Sequence, residues 1–184
     1  MSEHEQLTRL LAIRSARRGQ FTLASGRQST LYIDARLTTM SPEGLVLIGR
    51  LGLTRIRQNW EPNSVGGLTL GADPISYAIS YTSAVSGRPI RAFTVRKEAK
   101  THGAGKLIEG PFQSGDYTVV IEDVITTGGS ALQAIAAIQR AGGVIVGVLA
   151  LVDREEGGRE AIEATGIPVI SLVSVQDLLP LIPA

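Results

Sequence analysis

Two adjacent carboxylates, Glu122 and Asp123, follow the apolar run Val119-Val120-Ile121 and lead through Val124-Ile125 into Thr126-Thr127-Gly128-Gly129-Ser130. The β-branched run predicts a buried strand, with the acids emerging at its carboxyl end, where open parallel sheets bind ligands. Neighbouring acids repel and resist burial, so a ribose diol, or magnesium with its water shell, would relieve them. The small residues that follow open an alanine-rich helix at Ala131. They supply backbone N–H groups, hydroxyls and a helix N-terminus, a combination suited to phosphate. The plainer readings are an ordinary helix cap for the loop and polar punctuation for Asp123. With no lysine after its glycines the loop is not a nucleotide P-loop, nor is it a G-x-G-x-x-G fingerprint. Acid beside a phosphate cradle implies a ligand with both hydroxyls and a phosphate, such as a ribose 5-phosphate.

A second cluster spans Arg96-Lys97-Glu98-Ala99-Lys100-Thr101-His102-Gly103-Ala104-Gly105-Lys106. A long polar insertion in a compact domain is usually a lid or binding loop, although composition alone also fits a solvated charged loop. Its glycines allow movement, its cations could meet a pyrophosphate, and His102 reads as a phosphate or leaving-group contact. Asp153-Arg154 closes a later strand in the same topological position as Glu122-Asp123, so Arg154 can face the same cleft and grip a planar carboxylate. The competing reading is a surface salt bridge to Glu155 or Glu156. Gly71-Ala72-Asp73-Pro74 either cradles another phosphate or is a simple Asp-Pro turn. The segment from Phe21 to Ser29 reads as a hairpin turn and by itself assigns no function.

The elements that must carry these groups alternate. A helix is predicted over 3–17, with Leu7, Leu10, Leu11 and Arg14 on one face and Gly19 ending the segment. Phe21–Leu23 and 29–34 read as paired strands. Ser41-Pro42 starts a helix to about Gln58, with Ser41 as N-cap. Strands follow at Val65–Leu70, Ile90–Val95, Thr118–Asp123, Val144–Val152 and Val169–Val173. Helices lie between them at 72–87, Ser130–Ala141 and around 159–165, with a last helical turn at 175–179. Strands separated by helices argue for an α/β fold with a central, mostly parallel sheet and right-handed crossovers.

At 184 residues, 43% hydrophobic and 19% charged, the chain is predicted to be one globular domain with a full core. A net charge of +1 gives no electrostatic reason to expect nucleic acid or an anionic membrane, and the basic loop lacks stacking aromatics. Without cysteine there is no disulfide, thiolate nucleophile or sulfur-based zinc site. The two histidines, His4 and His102, are too few for a histidine-rich metal site. The N-terminus is a poor signal peptide and no apolar run is long enough to span a membrane, so a cytoplasmic location is expected.

Together these pieces resemble the orotate phosphoribosyltransferases, a branch of the type I phosphoribosyltransferases. Val119–Ser130 is similar to the superfamily's phosphoribosyl-pyrophosphate motif. Arg96-Lys97-x-x-Lys100-x-His102-Gly103 resembles the orotate branch's mobile catalytic loop, and is more specific. Phe21-Thr22-Leu23-x-Ser25-Gly26 resembles its N-terminal substrate element, and Asp153-Arg154 its orotate-contacting strand end. The chain departs from many members at Ala24 and in the loop 70–75, where they carry lysines; a subset reads Gly-Ala-Asp-Pro at the latter place.

The resemblance implies the type I phosphoribosyltransferase fold over residues 1–184, with an N-terminal hood element (1–40) and a mobile loop (96–110). It also implies magnesium-dependent transfer of ribose 5-phosphate from phosphoribosyl pyrophosphate to orotate. Lys97, Lys100, His102 and Asp123 would be catalytic. Arg96, Glu122, Val124, Ile125, Thr126, Thr127, Gly128, Gly129, Ser130 and Arg154 would bind substrate. Magnesium would be held by substrate and water near Asp123, with no direct protein ligand expected. A homodimer with loops exchanged between sites is implied as well. A purine or uracil transferase would share Glu122–Ser130 but has no clear use for Arg154 beside the Phe21–Ser29 element. A regulatory sensor of the same donor would have no need of the lysine-histidine loop.

Overall fold

The computed structural model describes residues 1–22, 28–98 and 106–183. Helix α1 (Glu3–Arg14) opens on a capping box, Ser2 accepting from the Glu5 amide and Glu5 reaching back to the Ser2 amide. A two-stranded antiparallel hairpin follows, β1 (Ala16–Thr22) with β2 (Gln28–Ile33). Then come α2 (Arg36–Thr39), α3 (Pro42–Asn59), β3 (Ser64–Leu68), α4 (Ala72–Val85), β4 (Arg91–Val95) and β5 (Ile108–Glu109). The chain continues as β6 (Tyr117–Ile125), α5 (Gly129–Arg140), β7 (Val144–Asp153), α6 (Gly158–Glu163), β8 (Val169–Ser174) and α7 (Val175–Leu178).

The main sheet has six strands in the order β5-β4-β3-β6-β7-β8, parallel except for β5 at the edge. Period-two alternation divides its buried side chains between two cores. Val119, Ile121, Leu149 and Leu151 face α1, α3 and α4, where they meet Leu7, Leu11, Ile48, Ile56 and Ile79. Val120, Val148 and Ala150 face α5 and α6, where they meet Ala131, Ala134, Ile138 and Ile162. The architecture is therefore helix, sheet, helix. The chain leaves β3 toward β4 on one side and returns to β6 on the other, so the loops ending β3 and β6 diverge and leave a crevice. Open α/β sheets bind ligands at such a switch point.

The short α2 and the edge strand β5 were not expected, and two of the boundaries that differ from expectation bear on the site. The first helix stops at Arg14, and Ala16–Arg18 is strand, paired with Ile33, Tyr32 and Leu31. Nothing local specifies that; the long-range partner does. Arg14 points away from the core to Glu43, 3.1 Å away. The central strand runs on to Ile125, because β7 pairs with it as far as Asp153. Glu122 and Asp123 thus stand within β6 rather than at its very end.

Candidate active site

At the switch point a cavity of about 280 Å3 is lined from three directions. Glu122 and Asp123 come from β6, with Ser130 from the start of α5. Thr69, Leu70 and Gly71 come from the loop after β3. Lys97 follows β4, while Tyr32 comes from β2, Asp34 from the link that follows it and Arg36 from the start of α2.

Glu122 is only 8% exposed and its Oε2 has no hydrogen-bond partner. Burial pushes its carboxyl well above the ordinary carboxylate range, and the charge of Asp123 and a hydrogen bond between the two acids act in the same direction. Asp123 accepts from the Val124 amide at 2.9 Å. Its carboxyl group lies so close to Gly71 that a Cβ there would fall 2.4 Å from it. A side chain at 71 would therefore displace the carboxyl group it faces.

Helix α5 starts at Gly128, in the left-handed region at φ +80, where glycine is favoured, and no side chain caps it. Its first-turn amides are thus left for a ligand rather than spent on a Ser or Thr cap. The loop is braced from behind by α6: a Cβ on Gly158 would lie 2.5 Å from the Thr126 carbonyl oxygen and 2.6 Å from the Gly128 nitrogen. Val124 and Ile125 put their side chains into the hydrophobic cores, so their contribution to a site is limited to the backbone. The Ile125 carbonyl already accepts from the Arg154 amide at 3.0 Å.

Arg96 begins the predicted loop, pairing through its amide with Leu107 at 2.8 Å and through its guanidinium with Glu109 at 3.6 Å. It closes the stem and does not line the cavity. Lys97 does line it, and its carbonyl is held by Gln133 Nε2 of α5 at 3.1 Å. Lys100 and His102 lie outside the described residues, as do Ala24, Ser25 and Gly26. Arg154 is buried, with Nη2 2.7 Å from Glu156 Oε1 and 3.0 Å from Ser29 Oγ. The salt-bridge reading of Arg154 is realised with Glu156, though as a buried pair rather than a surface one, and the same guanidinium meets the hairpin at Ser29.

Sequence reasoning missed Asp34 and Arg36, which form a two-pronged pair at 2.8 and 3.0 Å on the cavity wall. The Arg36 hydrogen bond holds the Asp34 carboxyl below its ordinary value against the opposing effect of burial. An Asp-x-Arg at a strand end was the available signal. Among the described residues no three acidic or histidine side chains converge on a metal position. The unpartnered Glu122 oxygen beside Asp123 nevertheless suits a hydrated magnesium ion carried in with a ligand.

A carboxylate pair and an uncapped helix start, side by side at a parallel-sheet switch point, define a class: proteins that hold a sugar phosphate. Comparison with known proteins narrows it. No family model matches the chain. It is 47% identical over 182 residues to the orotate phosphoribosyltransferase of Aquifex aeolicus, covering 97% of this chain and 99% of that one. The crystal structure of Mycobacterium tuberculosis orotate phosphoribosyltransferase with Fe(III) dicitrate superposes with a TM-score of 0.85 at 45% identity, covering 96% and 99% of the two chains. The same enzyme in complex with 5-phospho-alpha-D-ribosyl 1-diphosphate gives 0.78 at 41% identity, again over 96% and 99%. The chain belongs to the orotate phosphoribosyltransferase family and has the type I phosphoribosyltransferase fold.

Proposed function

We propose that this protein transfers ribose 5-phosphate from phosphoribosyl pyrophosphate to a ring nitrogen of orotate, giving orotidine 5′-monophosphate and pyrophosphate for pyrimidine synthesis. The carrying observation is the Glu122-Asp123 pair beside the uncapped start of α5, in a chain matching its relatives over almost its whole length.

The bond from C1 of ribose to the pyrophosphate oxygen breaks as the bond to the base nitrogen forms, through an oxocarbenium-like transition state. The α5 amides, with Thr126, Thr127, Gly128, Gly129 and Ser130, hold the 5-phosphate. Glu122 and Asp123 hold the ribose hydroxyls, directly or through water. Magnesium, held by substrate and water near Asp123, would supply positive charge against the departing pyrophosphate. Lys97, Lys100 and His102 stabilise the charge that grows on the leaving group, with Arg96 joining them on exchanging Glu109 for pyrophosphate. Closure of the loop that runs from Lys97 to β5 keeps water from the cation. Arg154, steadied by Ser29 and Glu156, receives the orotate carboxylate. In this reading the whole chain is one catalytic domain, with 1–40 as the hood over the base.

The test is an ultraviolet assay with phosphoribosyl pyrophosphate, magnesium and a panel of bases. Orotate should be consumed and purines left untouched; turnover of adenine or hypoxanthine instead would sink the proposal.

A homodimer belongs to the same proposal. Val46, Tyr77, Tyr81 and Val85 line an open apolar groove between α3 and α4, the kind of surface that associates. If loops are exchanged, mixing Lys97→Ala with Asp123→Asn chains should recover activity in the heterodimer, and no recovery would count against exchange. Among the described residues no helix is long and apolar enough to cross a membrane, and the cytoplasm is the proposed compartment.

A further inference from the structure

Asp73 is a buried acid that the mechanism above does not use. It sits in the first turn of α4, 7% exposed. Its carboxylate turns away from solvent and is held by hydroxyls from two elements. Thr69 Oγ1, in the loop after β3, donates to Oδ2 at 2.7 Å. Thr94 Oγ1, on β4, donates to Oδ1 at 2.8 Å. The Tyr77 hydroxyl lies 2.8 Å from Thr94 Oγ1. An ionised carboxylate only accepts, so the Thr94 proton is committed to Asp73 and Tyr77 must donate to Thr94. The direction of the chain is therefore fixed, from the exposed face of α4 to the loop beside the cavity.

That loop is the wall opposite α5. Thr69, Leu70 and Gly71 line the cavity, and Gly71 is pressed against the Asp123 carboxyl group. The Thr69 amide is tied to the Val95 carbonyl at 2.8 Å, just before Arg96 and Lys97. Helix α4, like α5, begins without a side-chain cap. Asp73, two residues past the N-cap Gly71, spends its carboxylate on the two threonines. The loop after β3 and strand β4, which leads into Lys97, are thus tied together through one carboxylate.

We propose that Asp73 is a positioning residue for the transfer reaction: it holds Thr69–Gly71 in place on the cavity wall shared with Lys97, the residue given above to the pyrophosphate, so that donor and product pyrophosphate meet a loop already ordered. This rests on the function proposed above. Ordering the loop beforehand spares the ligand that cost on binding, so losing the clamp weakens pyrophosphate affinity more than the chemical step.

Thr94 does not line the cavity, so Thr94→Val removes one clamp without touching a ligand. The measurement is calorimetric binding of magnesium pyrophosphate to the full chain, alongside KM for phosphoribosyl pyrophosphate and the melting temperature. Thr94→Val should weaken both affinities by about tenfold, the size of one lost hydrogen bond to a charged group, with little change in kcat. Thr94→Ser should restore them, and Asp73→Ala should exceed Thr94→Val. A lowered melting temperature with unchanged pyrophosphate affinity would show a purely structural acid and overturn the proposal. So would an absence of pyrophosphate binding by the wild-type chain. If Asp73→Ala does not fold, the Thr94 pair decides alone. Because no base is present in the binding experiment, failure to use orotate is read separately in wild-type turnover.

Discussion

Strands β6 and β7 lie side by side and each carries a dipeptide with an aspartate near its carboxyl end, Glu122-Asp123 and Asp153-Arg154, yet the two aspartates live in opposite circumstances. Asp153 is satisfied on both oxygens. Arg159 Nε donates to Oδ2 at 2.7 Å and the Glu155 amide to Oδ1 at 2.9 Å. Arg159 goes on to the Val169 carbonyl and Ser171 hydroxyl, binding α6 to β8. At the end of β6 no cation is bonded to either acid among the described residues. Glu122 keeps an orphaned buried oxygen, and Asp123 meets only the Val124 amide and Glu122 itself. Buried polar groups are ordinarily satisfied, so an acid left wanting is a site and an acid fully paired is a fastening. Residue type alone does not separate them.

The contrast can be broken by substitution. Asp123→Asn should cost the most, about 100- to 1000-fold in kcat/KM, with the melting temperature nearly unchanged. Asp153→Ala should show the reverse emphasis, because it strands the partly buried Arg159. A loss of about 3 kcal/mol, or roughly 6–12 °C in Tm, is expected in thermal unfolding. Arg154→Lys removes the fork that matches a planar carboxylate and should raise KM for orotate by about tenfold, leaving that for the donor alone. An equal rise for both substrates would count against Arg154 as the base contact.

The smallest effect is expected at Glu122, and it depends on pH. The folded chain keeps a proton on Glu122 at pH values where the unfolded chain has released it. Stability from this group is therefore fully present below the ordinary carboxylate range and lost as pH rises through the raised value. Glu122→Gln cannot release that proton, so its melting temperature should fall less than wild type's over the same rise. Parallel curves would contradict the assignment.

Much of the sheet, and the placing of the β6 acids beside the start of α5, was legible because the signals are local. The β-branched run of β6, the small residues before α5 and the Ser41-Pro42 start of α3 each act within one turn or strand; Ser41 Oγ does accept from the Gly44 amide at 3.1 Å. What was illegible depends on distant partners. Ala16-Arg17-Arg18 continues a helical pattern in sequence and becomes strand only through β2. Asp73 reads as ordinary turn chemistry until Thr94 is brought beside it. The packing of Gly158 on the phosphate loop, and the Asp34–Arg36 pair on the cavity wall, likewise need the tertiary fold.

The most direct test is orotate phosphoribosylation measured side by side with thermal unfolding for wild type and Asp123→Asn. The expected result is orotate turnover by wild type and a folded variant that has lost nearly all of it. A wild-type chain inert toward orotate, or a variant as active as wild type, would contradict the central claim that the unsatisfied acids of β6 hold the ribosyl donor for transfer to orotate.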